Sequence, residues 1–248
     1  MVSAVPQHHG WAARFGSDAV HLSRAGLNGS DNPLGGQKSL PDLLGVELNF
    51  GSPSIELDGE TIKTVYTKRE IGCRHCHPSA ALARALKKSR QVEIEAIESV
   101  DISTYKVALG FSKVPDERQE LYACLMSIPW IFSANLIFGE VTPHLLTDRF
   151  RHPEILRLAK KVQIYESSDA EAHYPLSLNS EVSVKVLGLR ESLKLAEVMS
   201  YSSESDLFAP ESLFDPAFGA DELISKFKKN CAGVISEKDT HSLVNLYS

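Results

Sequence analysis

The chain has 248 residues, of which 43% are hydrophobic and 23% charged, with a formal net charge of −6; this is the make-up of one large globular domain or two small ones. The acidic balance excludes an extended basic face, so no nucleic-acid partner is expected. No apolar run approaches the ~20 residues that span a bilayer, and four cysteines are too few for a disulfide framework.

From the N-terminus, Met-Val-Ser-Ala-Val-Pro-Gln-His8-His9 lacks the basic and apolar regions of a secretory signal, so the expected location is cytoplasmic, with no membrane partner. Trp11, Phe15, Ala19 and Leu22 recur at helical spacing, which predicts a helix over 10–26 stopped by Gly26. Leu27 to Gly36 is glycine-rich connection, and residues 40–61 read as irregular with a turn at Asp58-Gly59. Thr61–Thr67 predicts a short strand.

The sequence then reaches Lys68-Arg-Glu-Ile-Gly-Cys73-Arg74-His75-Cys76-His77-Pro78, followed by the apolar run Ala80–Leu86. Pro78 suits the first turn of a helix over about 78–90, with His77 at its cap. Groups held at such an end face free N–H donors and a dipole that attract anions.

Downstream, Val92–Ser103 alternates in part and predicts a strand. Leu121–Phe138 is apolar nearly all round, hence buried, with a kink or a start at Pro129. Pro153–Lys161 reads as a short helix. Val162–Ile164 and Val182–Val186 read as strands of a mixed sheet, with Leu193–Met199 as a partner. Tyr201–Gly219 is a long Ser-, Pro- and acid-rich loop. Ala220–Asn230 is an amphipathic helix through Leu223, Ile224 and Phe227, and a final helical turn or two follows Ser236. The expected fold class is α+β, with helices at both chain ends around an α/β middle.

Cys73-Arg-His-Cys76-His77 matches the C-x-x-C-H haem-attachment pattern, which requires export. Zinc needs a second paired ligand set, and Cys124 and Cys231 are isolated. Neither a metal nor a cofactor is therefore expected. Lys68, Arg74, His75 and His77 could together neutralise several carboxylates; they could equally be solvated surface groups, and spacing alone leaves both readings open. Cys73 could be a thiolate, given its cationic neighbours. His8-His9, just before the first helix, is a second candidate site. No P-loop, dinucleotide fingerprint, G-x-S-x-G or H-E-x-x-H is present.

Several stretches together resemble the MmgE/PrpD family, which includes 2-methylcitrate dehydratase and cis-aconitate decarboxylase. They are His9-Gly-Trp-Ala-Ala-Arg with Leu22-Ser-Arg-Ala-Gly-Leu-Asn-Gly29, and Cys73-Arg-His-Cys-His77-Pro78 with Lys68 upstream. Gly139-Glu-Val-Thr through Ala159-Lys-Lys-Val-Gln-Ile and Ala220-Asp-Glu-Leu-Ile-Ser-Lys-Phe continue the match in register.

The resemblance implies the C-terminal half of a fold in which an α/β lid meets a helical domain. Residues 1–45 and 205–248 would belong to the helical domain and 46–204 to the lid. It implies metal-independent removal of water or carbon dioxide from a citrate- or aconitate-type acid, possibly alkyl-substituted. Lys68, His77 and His75 would be catalytic, and Arg74, Cys73 and His9 would bind the small polycarboxylate. With partner helices absent, Trp11, Phe15 and Leu22 should be under-buried, which predicts a homodimer or pairing with another family chain. Two family positions differ here: Val5 stands for an expected lysine and Trp130 for an expected tyrosine. The alternative reading is a truncated, catalytically degenerate member acting as a binding or interaction protein.

Overall fold

The computed structural model describes residues 8–35, 39–46, 68, 71–89, 92–116, 121–147, 150–189, 192–200, 211–212 and 220–247. The chain divides into two compact units, Met1–Ile62 and Lys63–Ser248. The expected turn at Asp58-Gly59, the strand Thr61–Thr67 and most of the loop Tyr201–Gly219 lie outside the described residues.

In the first unit, helix α1 runs His8–Arg24 and buries none of its residues. Gly26 ends it at φ +93°, a left-handed conformation that glycine adopts without a Cβ penalty. Trp11 and Phe15 stack one turn apart, 6.0 Å between ring centroids, yet Phe15 remains 66% exposed, and Trp11 and Leu22 are exposed as well. A short helix α2, Leu40–Leu44, occupies part of the stretch expected to be irregular. Ser39 caps it by accepting from the Asp42 N–H, and proline sits in its first turn, which is enough to start a helix.

The second unit is α+β. Helix α3 (His77–Ser89) follows a 3-10 turn at Arg74–Cys76. Strand β1 (Ile97–Thr104) starts later than the alternation suggests, because Ile94–Ala96 is itself a 3-10 turn. Helices α4 (Leu121–Leu125), α5 (Ile128–Phe138), α6 (Pro143–Thr147) and α7 (Pro153–Ala159) lead to strand β2 (Val162–Glu166). Then come α8 (Ser168–His173), β3 (Ser177–Val186), β4 (Leu193–Ser200), the two-residue β5 (Glu211–Ser212), α9 (Ala220–Cys231) and α10 (Glu237–Tyr247). The last helix is longer than the turn or two expected.

The strands form one mixed sheet in the order β2-β1-β3-β4-β5. β1 and β2 are parallel, while β1–β3, β3–β4 and β4–β5 are antiparallel. Val100 pairs with Val184 and Ile102 with Val182, all four fully buried, whereas Glu181 and Lys185 on the same strand are exposed. Strand periodicity thus sorts the sheet into a core face and a wetter one. α3 packs against β3 and β4 on one side and α5 on the other, and α7 packs on α5.

That sandwich explains the small side chains of α3. Ala80, Ala81 and Ala83 are fully buried and let sheet and helix approach closely. α5 is buried from Ile128 through Leu136, as its all-round apolar sequence requires. Ser127 accepts from the Trp130 N–H, Pro129 sits in the first turn, and Gly139 closes the far end at φ +89°. Pro129 therefore marks a start. Among the described residues, no helix is long and apolar enough to cross a membrane.

Candidate functional site

The cationic stretch lies where the second unit begins, on a loop pinned to the end of α4. The Cys73 N–H donates to the Leu125 carbonyl at 3.0 Å. Gly72 makes this possible with φ +110°; a Cβ there would lie 2.9 Å from the same carbonyl oxygen and 3.2 Å from the Ile131 side chain. Gly72→Ala combines a left-handed backbone with a clash against main chain that cannot move aside. It should cost about 2–3 kcal/mol in urea unfolding; a loss under about 0.5 kcal/mol would mean that the loop is not held there.

His77 is not the cap that the sequence suggests. It has helical dihedrals, and its N–H donates to the Arg74 carbonyl, while Cys73 in extended conformation precedes the 3-10 turn. The Cys76 N–H donates to the Cys73 carbonyl at 2.9 Å. The Cys76 and His77 N–H groups are thus used by the turn and do not point out of an open helix end.

Lys68, on the surface, folds back so that its amine donates to the Gly72 carbonyl at 2.8 Å. The Lys226 amine, from α9, donates to the Lys68 carbonyl, which ties the C-terminal helices to this loop. Arg84 stands two turns along α3 from His77, half-buried, with Nη1 donating to the Asn135 side-chain oxygen at 3.3 Å.

His77 itself is 3% exposed, and its Nε2 has no hydrogen-bond partner among the described residues. Burial first, then the charges of Lys68, Arg84, Lys226 and Arg74, push its pKa from 6.5 down to about 3. At neutral pH it is an uncharged imidazole with four cations close enough to act on it.

His75 has a different environment. Its Nδ1 lies 2.7 Å from the Tyr105 hydroxyl. Its ring stacks on Phe111 at 5.1 Å and meets Tyr105 and Tyr174 at 5.7 and 6.4 Å. Burial, aided by Arg74, holds its pKa below the ordinary value. Cys73 is half-buried and Cys76 fully buried. His9 belongs to the other unit, exposed in the first turn of α1.

Of the residues picked from sequence, Lys68, Cys73, Arg74, His75 and His77 therefore share one loop and helix start, with the two imidazoles in separate surroundings. Arg84, Lys226 and Tyr105 are added by the fold. Arg84 could have been found seven residues beyond His77, on the same helical face. Tyr105 and Lys226 carry no local signal. Among the described residues, no three His, Cys, Asp or Glu side chains gather as a metal ligand set.

Residues 72–246 match the MmgE/PrpD C-terminal domain. No curated protein matches the chain.

Proposed function

The chain belongs to the MmgE/PrpD family, and on that premise we propose that it is a metal-independent lyase for a citrate- or aconitate-type polycarboxylic acid, acting by decarboxylation or dehydration. What supports this reading is the buried His77, uncharged at neutral pH because of its burial and of the positive charges of Lys68, Arg84, Lys226 and Arg74 around it. Such a set suits a ligand with several carboxylates, since each cation gains a charge-assisted partner.

Binding also changes the imidazole. Carboxylates that neutralise the four cations remove the repulsion that resists a proton on His77, so its basicity rises once the acid is in place. Nε2 then becomes a base directed at a bound substrate, and Lys68 holds a carboxylate beside it. Proton removal next to a carboxylate-stabilised carbon is the step that either reaction requires. In the proposal His75 is the second proton-moving group, Arg74 and Cys73 contact the acid, a homodimer or another family chain completes the cleft, and the location is cytoplasmic.

Incubation with cis-aconitate and alkylcitrates, following carbon dioxide release and enoate absorbance, tests it. Lys68→Ala should lower turnover by ~10²-fold or more, while Lys185→Ala, at an exposed ion pair with Glu98, should leave it unchanged. Absence of turnover with every acid, alone and mixed with a full-length homologue, would favour a non-catalytic binding member. Trp130 supports that second reading: it replaces the tyrosine implied by the family resemblance, and its N–H is committed to the Phe150 carbonyl at 2.9 Å.

A further inference from the structure

We propose that Cys73 and Cys76 form a reversible dithiol–disulfide pair, oxidised by small-molecule disulfides through Cys73, and that oxidation tightens polyanion binding at the adjacent cations. The second half rests on the polycarboxylate reading above; the first half does not.

The geometry comes from the 3-10 turn. Cys73 precedes it and Cys76 ends it, joined by the 2.9 Å bond between the Cys76 N–H and the Cys73 carbonyl. A turn closed in this way brings Cα(i) and Cα(i+3) within ~7 Å, against the ~4.4–6.8 Å that a disulfide needs. Side chains three apart eclipse in such a turn, and here the two thiols hydrogen-bond each other.

Access is unequal. Cys73 is half-buried and Cys76 fully buried, so an oxidant meets Cys73 first. The charge state agrees with the geometry. The Cys76 S–H donating to Cys73, the His75 backbone N–H, Lys68 and Arg74 together outweigh burial and bring Cys73 down to about 6. Cys76, the donor of that bond and deeply buried, is raised well above the ordinary thiol value. At neutral pH this gives a thiolate at the surface and a protonated thiol behind it, the arrangement that thiol–disulfide exchange uses. Two inert structural cysteines need neither the shared hydrogen bond nor the flanking cations. Cys124, by contrast, is buried and raised to about 11.

With glutathione disulfide as oxidant, the Cys73 thiolate attacks one sulfur and releases a glutathione thiolate. Cys76 then attacks the Cys73 sulfur of the mixed disulfide and expels the second glutathione, to which its proton passes. Two electrons leave the protein, and one glutathione disulfide is reduced to two glutathione thiols. The product carries no thiolate, so a negative charge disappears from beside Lys68 and Arg74. Those cations then act on a bound polycarboxylate without the opposing charge of the thiolate.

The test uses the whole chain equilibrated with glutathione redox buffers and then digested with trypsin. Cleavage after Arg74 puts Cys73 and Cys76 on different peptides, so they stay joined only if the disulfide has formed. The joined pair should appear before Cys124 or Cys231 is modified. Iodoacetamide should alkylate Cys73 with a midpoint near pH 6, and Cys76→Ser should accumulate glutathione on Cys73. Failure to detect the joined pair in excess glutathione disulfide, or oxidation of Cys231 first, overturns the pairing whatever the fate of the variants.

Citrate titrations of both redox forms test the coupling, with roughly tenfold tighter binding expected after oxidation, about one charge-assisted contact. Equal citrate affinity in the two forms overturns the coupling. A disulfide that forms in a chain that never binds citrate keeps the redox pair and removes the polycarboxylate reading.

Discussion

Unfolded with urea at a series of pH values, the chain should lose roughly 2 kcal/mol more stability between pH 7 and pH 5 than a His77→Gln variant does. The reason is the distance between the ordinary pKa of 6.5 and the value of about 3 that His77 has in the fold. Above pH 6.5 the ring is neutral in both folded and unfolded chains, and its contribution is fully present. As pH falls below that, the unfolded chain takes up a proton that the folded chain refuses, and stability drains away toward about pH 3. Burial is nearly complete, so solvent screening does little to soften the effect. His75 and Cys73 shift stability in the same sense on acidification, but both are present in wild type and variant and cancel in the difference. Glutamine keeps a polar side chain and removes the titration. Parallel curves for the two proteins would show that His77 accepts a proton in the folded state, and the account of its cationic surroundings would fail with it.

Trp130→Ala should cost about 3–5 kcal/mol, the usual loss for a large aromatic side chain in a packed core. The indole is 0% exposed, on the helix that supports both α3 and α7. Its N–H supplies the Phe150 carbonyl at 2.9 Å, and truncation leaves that buried acceptor without its donor. Trp130→Phe separates the two contributions: it keeps most of the packing and should cost about 1–3 kcal/mol, mainly for the orphaned carbonyl. Urea midpoints for the two variants settle the matter, and a loss under about 1 kcal/mol for the alanine variant is incompatible with the packing described. This residue is committed to the interior.

Much of the architecture was legible because it is written in short-range pattern. Leu121–Phe138 has no polar face, and its α5 part is buried from Ile128 to Leu136, while Tyr122 and Phe138 at the two ends stay exposed. Val182, Val184 and Val186 alternate, and they line the core side of β3. Pro78 and the alanines after it announce α3. The reading of residues 40–61 as irregular passed over α2, although Ser39-Leu-Pro-Asp is a capping sequence; five residues are too few for periodicity to register. The start of β1 was placed too early because apolar alternation does not distinguish a 3-10 turn from a strand over three residues.

The site divides in the same way. Lys68, Cys73, Arg74, His75 and His77 are neighbours in sequence, so proximity needed no fold to reveal it. Their states did need one. Whether His77 is an exposed cap or a sealed imidazole depends on the 3-10 turn ahead of it and on α5 behind. Tyr105, 30 residues from His75, becomes its partner only through the path that joins β1 to the following 3-10 turn.

The bond from Lys226 to the Lys68 carbonyl spans 158 positions, and this bears on biogenesis. At ~5–20 residues per second of synthesis, the loop waits on the order of ten to thirty seconds on the ribosome before its distal lysine exists. A nascent or prematurely ended chain that stops after β4 has four of the five strands and both imidazoles but lacks this charge. The tie between this loop and α9 is therefore made last, and a polypeptide interrupted before its terminal helices leaves the Lys68 carbonyl without that donor.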